Sequence, residues 1–387
     1  MTTTDAPVAA PADLALMEPV LRRGRSFLDR AMMPGDENEL RLNALLAAAA
    51  ERGLDGVVIF GAAHLPENLG YYANYTPTTF HGALVARTGE QPVLFAGKGG
   101  ARDHPYIRTV SWVGDLRYAA AIGPAVVEVA DSWSSPWKRL GVAGLDTTLP
   151  HHVRDDIVAA LGDRYEPVDD IVSAHRRAKS AREIAVLTTA HDIAQRAAEA
   201  AVDAYDRGAG RRTALAAADF TARAGDAHDC RITARTETGG TASLSEVRDD
   251  RGPLAAVVAV EYLGYWGMAA IRLGRATAPA DAPIDAVVAR MRPGVTLSDA
   301  LGADAGDFLV NGIGCAPAEA PPAGPGQATA PIAGADQAAP SAGAGQADAA
   351  LRRHDVLAIV HLGSAPDGPD VGVRTVVIDE AGARSLR

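Results

Sequence analysis

From Asn43 the chain hands over from one hydrophobic period to another. "NALLAAAAERGL" carries its apolar residues at helical spacing, and "GVVIF", "GALVAR" and "QPVLFAG" follow as short strands set off by Gly and Pro signals. "GVAGLD", the helix-like "HHVRDDIVAALGD" and "YEPVDD" continue the alternation, which predicts an α/β domain over residues 35–170. The longest helical pattern comes next. In "KSAREIAVLTTAHDIAQRAAEAAVDAYDRGAG", Ile184, Leu187, His191, Ala194 and Ala198 share or border one stripe, Ser180 and Glu183 form a capping box, and Gly208 ends the helix. His191 therefore reads as a helix residue, packed or half-exposed. A second helix, "TALAAADFTARAGD", leads into strands at "CRITART", "LAAVVAVEYLGYWGMAAIRLGRAT", "DVLAIVHLG" and "VRTVVID", interrupted by the helix "IDAVVARM". Helices with antiparallel-looking strands predict an α+β domain over 171–387.

Two segments fall outside this patterning. Residues 1–34 read as a flexible leader, and about 322–350 is Ala, Pro, Gly and Gln with hardly a bulky apolar side chain, so it reads as a mobile loop. No run of apolar residues is long enough to span a bilayer, and the N-terminus lacks the basic and apolar regions of a secretory signal, so the expected location is cytoplasmic. The net charge of −11 comes without a basic stripe, which argues against nucleic acid. Two cysteines, Cys230 and Cys315, are too few for a disulfide framework or a Cys-rich zinc site. No phosphate-binding glycine loop or dinucleotide fingerprint occurs.

Several segments, taken in order, resemble the creatinase, prolidase and aminopeptidase P family (peptidase M24). Lys179, Ser180, Glu183 and Ile184 match its K-S-x-x-E-I helix start, and "ENLGYYANY" matches the opening of its N-terminal domain. "VNGIGCAPAEAPP" lies over G-H-G-I-G…H-E-x-P, with Gly312, Ile313, Gly314, Glu319 and Pro321 coinciding. "IVHLGS" lies over the strand ending T-V-E-P-G, and "TVVIDEAG" over the closing T-V-x-V-T-E-x-G. The resemblance implies a pita-bread C-terminal domain preceded by a smaller α/β creatinase N-terminal-like domain. It also implies a homodimer in which the N-terminal domain of one subunit borders the other's pocket.

The family's peptidases hold two divalent metals through two Asp, one His and two Glu. By the resemblance, this chain has Met268 at the second Asp position, and Val257 or, with a shorter hairpin, Glu261 at the first. Asn311 stands for the His ligand, His361 for the first Glu, about Val373 for the second, and Ala318 for the proton-handling His. These replacements imply a divergent member without the dinuclear ligands, so no metal or other cofactor is expected. The catalytic candidates are His361, Glu319 and Glu261. His361 is either a general acid or base facing the cavity or a packed strand histidine. Asn311, Met268, Tyr265, Trp266, Arg272, His81 and His228 are candidate substrate contacts, His81 from a neighbouring subunit. A Cys230–His228 pair raises nucleophilic catalysis, with structural placement favoured. The reading that follows is a metal-independent enzyme acting on a small amine, amide or guanidino compound. A non-catalytic binding protein and an Xaa-Pro-type peptidase with an altered metal site are its rivals.

Overall fold

The structure, a computed structural model, describes residues 29, 31–77, 80–96, 106–236, 240–274, 281–302, 307–315, 350–365 and 368–386. Most of the expected leader, most of the Ala- and Pro-rich stretch, Ala318 and Glu319 lie outside them. The chain divides into two compact units, Met1–Arg176 and Arg177–Arg387.

The first unit is built on β1 (Gly56–Ala62), β2 (His81–Ala86), β3 (Val93–Ala96), β4 (Asp115–Tyr118), β5 (Leu140–Ala143) and β6 (Tyr165–Pro167), in the order β4-β3-β2-β1-β5-β6. β1 runs antiparallel to β2 and parallel to β5. A central strand covered on both faces needs a continuous apolar run rather than an alternating one, and "GVVIFGA" supplies it: every residue of β1 is buried. The helix expected from Asn43 begins earlier, at Gly35, and ends at Glu51. Helices Ile122–Asp131 and His151–Leu161 bury Val126, Val129, Val153 and Ile157 together with Val58 and Phe60 of β1.

The second unit holds two four-stranded antiparallel sheets. β7 (Asp229–Arg235), β8 (Thr241–Ser243), β9 (Leu254–Tyr262) and β10 (Tyr265–Leu273) form one, in the order β10-β9-β7-β8. β11 (Phe308–Gly312), β12 (Val356–His361), β15 (Gly372–Ile378) and β16 (Ala383–Ser385) form the other. A small ribbon, β13 (Ser364–Ala365) with β14 (Gly368–Pro369), lies between β12 and β15 in sequence. β9 and β10 are joined by a two-residue turn, Leu263–Gly264, at φ 47° and 78°, the left-handed pair that a tight hairpin requires.

Helices Ala181–Asp206 and Arg211–Ala224 pack on the first sheet, and Asp281–Arg290 with Leu297–Leu301 on the second. The capping box that starts the long helix is complete. Ser180 Oγ accepts from Glu183 N at 3.2 Å, and Ser180 N donates to Glu183 Oε2 at 2.9 Å. The other oxygen of that carboxylate, Oε1, accepts from the Tyr265 hydroxyl at 3.1 Å, so one Glu both caps the helix and ties it to β10. Further along, the helix lies directly on β10 at Gly267, where a Cβ would fall 2.4 Å from backbone atoms of Ala190 and His191. Only glycine permits that approach.

Candidate functional site

Ladder partners share a face, so packing on one side of each sheet fixes what occupies the other. In the first sheet Ala256, Val258 and Val260 of β9 and Ala269, Ile271 and Leu273 of β10 belong to the helix-side core. The remaining positions, Val257, Ala259 and Glu261 with Trp266, Met268, Ala270 and Arg272, form the inner face, turned away from the helices. In the second sheet Phe308, Val310, Leu357, Ile359, Val376 and Ile378 are helix-side. Asn311, Ala358, Val360, Val373 and Thr375 therefore hold inner positions. Three contacts tie the sheets together. Trp266 N donates to the Gly314 carbonyl at 2.9 Å. Arg272 Nε donates to the Val371 carbonyl at 2.7 Å, with Asp370 Oδ1 at 3.3 Å. Arg235 donates to the carbonyls of Gly363 and Asp370 at 3.1 and 2.8 Å.

The sequence-based candidates divide on this geometry. Val257 and Glu261, left as alternatives, both hold inner positions because they are four residues apart on one strand. Glu261 is a buried carboxylate at 6 % exposure, and its ladder partners are Asp229 and Trp266. Trp266 is buried, with the Arg231 guanidinium 4.6 Å from its ring centroid. Met268 is fully buried, and Asn311 sits beside Ala358. Glu319 lies outside the described residues.

Three expectations are corrected. His361 pairs with Phe308 and Gly372, and its ring lies 4.9 Å from the Phe308 ring, on the helix-side face. The inner position at that level is Val360, the ladder partner of Val373. A one-residue slip in strand phase exchanges the two faces, and an ungapped match anchored on Gly363 made that slip. Tyr265, expected as a substrate contact, turns to the helix side and bonds Glu183. His228, expected to touch substrate, stands beside Tyr262 with ring centroids 6.3 Å apart, and Tyr262 packs against the helix-side core.

His81 opens β2 in the first unit, where burial, and then the charge of His152, hold its pKa below the usual imidazole value. Cys230 also faces the helix-side core, and burial pushes its thiol up to about 12, so it is protonated and a poor nucleophile at neutral pH.

Three residues that the sequence reading passed over, Arg231, Thr233 and Arg235, share the inner side of β7 with Asp229. Asp229 Oδ2 lies 3.0 Å from Arg231 Nε. Their period-two alternation in "DCRITAR" was visible, but polar alternation in a strand ordinarily signals a solvated face.

The positions that the resemblance assigns to metal ligands, with strand phase corrected, hold Met268, Asn311, Val360, Val373 and either Val257 or Glu261. Two aliphatic side chains, a thioether and an amide, with at most one carboxylate, do not fit a dinuclear centre of hard cations. Among the described residues no three His, Cys, Asp or Glu side chains converge in a way that could hold a metal ion.

Comparison with solved structures gives the class. The chain is similar to a prolidase from Pyrococcus horikoshii OT3 (TM-score 0.67, 18% identity, covering 90% of this chain and 97% of that one). An X-Pro aminopeptidase from Thermotoga maritima MSB8 gives TM-score 0.68 at 17% identity, covering 89% and 96%. The dipeptidase PepE from Mycobacterium ulcerans gives 0.65 at 20%, covering 91% and 96%. The chain has the pita-bread fold of these M24 peptidases across about 90% of its length. No protein-family model matches the sequence, and no curated protein does. Among the described residues no helix is long and apolar enough to cross a membrane.

Proposed function

We propose that this chain is a metal-independent enzyme of the pita-bread fold that acts on a small molecule bearing an amine, amide or guanidino group. C–N hydrolysis, elimination or rearrangement, in the setting of specialised metabolism, are the reaction types in view. One observation supports the reading: Met268, Asn311, Val360 and Val373 hold inner-face positions to which the resemblance assigns metal ligands. Proton handling passes from His361 to Glu261, a buried carboxylate on the inner face. Trp266 beside it lies against the Arg231 guanidinium, and Asp229 borders the same end of the sheet. The proposal includes a homodimer in which the N-terminal domain of one subunit brings His81 towards the substrate of the other.

The test is turnover of a panel of small amines, amides and guanidines with and without a chelator, by the native protein and by Glu261→Gln. The expected result is chelator-insensitive turnover that falls at least about a hundredfold in Glu261→Gln. Two rivals have distinct signatures. An Xaa-Pro peptidase with an altered metal site predicts chelator-sensitive cleavage of Xaa-Pro dipeptides. A non-catalytic binding protein, favoured by the turning of His361 to the helix side, predicts saturable binding without turnover.

A further inference from the structure

The inner side of β7 carries a guanidinium that solvent can reach and that is only partly satisfied. Arg231 stands opposite Ala259 on β9, where a methyl group leaves room for a long side chain to cross the strand. Its guanidinium meets the two residues that flank Glu261 in the ladder. Asp229 Oδ2 accepts from Arg231 Nε at 3.0 Å, and the Trp266 ring centroid lies 4.6 Å away. Among the described residues Nη1 and Nη2 have no hydrogen-bond partner, and the side chain keeps 29 % exposure. An arginine on a wet strand ordinarily retains its rotamer freedom. Here the stack and the Asp229 bond have already taken it, so a ligand on the free edge loses little further entropy. That edge presents two nitrogens in the plane and spacing of a carboxylate's two oxygens. Asp229 already offsets much of the charge, which suits a monoanion; a phosphate dianion would face a neighbouring carboxylate with a single cation to hold it.

We propose that Arg231 is a specificity-determining residue that takes a carboxylate of the substrate end-on through Nη1 and Nη2, while Trp266 and Asp229 hold the guanidinium in place. The inference rests on the reading that the inner face takes a small amine, amide or guanidine, and it narrows that class to molecules that also carry a carboxylate. Because Glu261 stands between Asp229 and Trp266 in the ladder, a short spacer separates the carboxylate from the nitrogen-bearing end. The contact is ionic, and no bond is made or broken at Arg231.

The probes are 4-aminobutyrate, 4-aminobutanamide, which has the same chain without the carboxylate, and 3-aminopropylphosphonate, which carries a phosphonate in its place. Affinities are measured by calorimetric titration against the full chain as wild type, Arg231→Gln and Arg231→Lys. Arg212→Gln, at an exposed position on the helix Arg211–Ala224, controls for the lost charge. Wild type is expected to bind 4-aminobutyrate with a Kd on the order of millimolar, as suits so few heavy atoms. It should bind that probe about tenfold more tightly than either of the others, the worth of a charge-assisted fork at a partly exposed site. Arg231→Gln should bind 4-aminobutyrate as weakly as the amide, Arg231→Lys should fall between because it keeps the charge without the fork, and Arg212→Gln should match wild type. Equal affinity of wild type for 4-aminobutyrate and its amide, tighter binding of the phosphonate, no saturable binding of any probe up to about 50 mM, or full discrimination in Arg231→Gln would each overturn the proposal. Should Arg231→Gln not fold, full discrimination in Arg231→Lys overturns it as well. The two proposals fail separately. Chelator-insensitive turnover that depends on Glu261, with equal binding of 4-aminobutyrate and its amide, removes this inference alone. An Arg231-dependent preference for the carboxylate without turnover, or with metal-dependent turnover, removes the other alone.

Discussion

The two faces of the C-terminal sheets obey different rules. On the helix side, Val258, Val260, Ile271, Leu357, Ile359 and Val376 are buried in two cores, Gly267 lies against the long helix, and Glu183 ties its cap to Tyr265. On the inner side, backbone geometry fixes where a side chain sits but packing leaves its chemistry free. Carboxylate ligands, aliphatics or a guanidinium can all hang from the same ladder without moving it. The contrast is consistent with a chain at 17–20% identity that keeps a TM-score of 0.65–0.68 with those solved peptidases while four positions that the resemblance assigns to ligands hold Val, Met and Asn. Fold follows the helix side, and the proposed function is placed on the inner one.

If that division holds, the largest effect belongs to Gly267→Val. Its added atoms would overlap backbone at 2.4 Å, so at least about 3 kcal/mol of stability should be lost, read as a shift of the denaturation midpoint. On the adjacent inner position Met268→Leu should cost less than about 1.5 kcal/mol; equal costs at the two sites would erase the distinction. Tyr265→Phe comes second. It leaves Glu183, 1 % exposed, without one of its donors and should cost about 1–3 kcal/mol by the same measurement, while leaving binding on the inner face unchanged.

The smallest effect concerns pH. Burial, only partly offset by Asp192, lowers the pKa of His191 on the long helix, so the folded state prefers the neutral ring. The unfolded chain then takes up the proton first. This contribution to stability is complete above the ordinary imidazole value of about 6.5 and is lost as pH falls towards the lowered one. Thermal melts between pH 7.5 and 5 should show a loss of stability on acidification that is smaller in His191→Gln; identical slopes would assign the loss elsewhere.

Much of the helix side was legible in the sequence because apolar periodicity and caps are local signals. The capping box at Ser180–Glu183, the hydrophobic stripe through Leu187 and Ala194 and the strands of "LAAVVAVEYLGYWGMAAIRL" were all readable before any coordinates. The inner face was less so, and the failures share a cause. A motif match fixes sequence position, but the face depends on strand phase, and Val360 and His361 differ by one residue and by the side of the sheet they occupy. Tyr265 was misread for the same reason, since it directly follows a turn whose two residues set which side it takes. Arg231 and Thr233 were missed because a polar strand face looks alike whether it meets water or an enclosed site.

The central claim, that the inner face has no dinuclear metal site, is tested most directly by equilibrium dialysis of the purified chain against Mn(II), Co(II) and Zn(II), followed by elemental analysis of the retained metal. The account predicts less than about one tenth of an equivalent of each retained, because Met268, Asn311, Val360 and Val373 offer no carboxylate or imidazole and Glu261 alone cannot hold two ions. Two tightly held equivalents, released by a chelator together with cleavage of Xaa-Pro dipeptides, would contradict it.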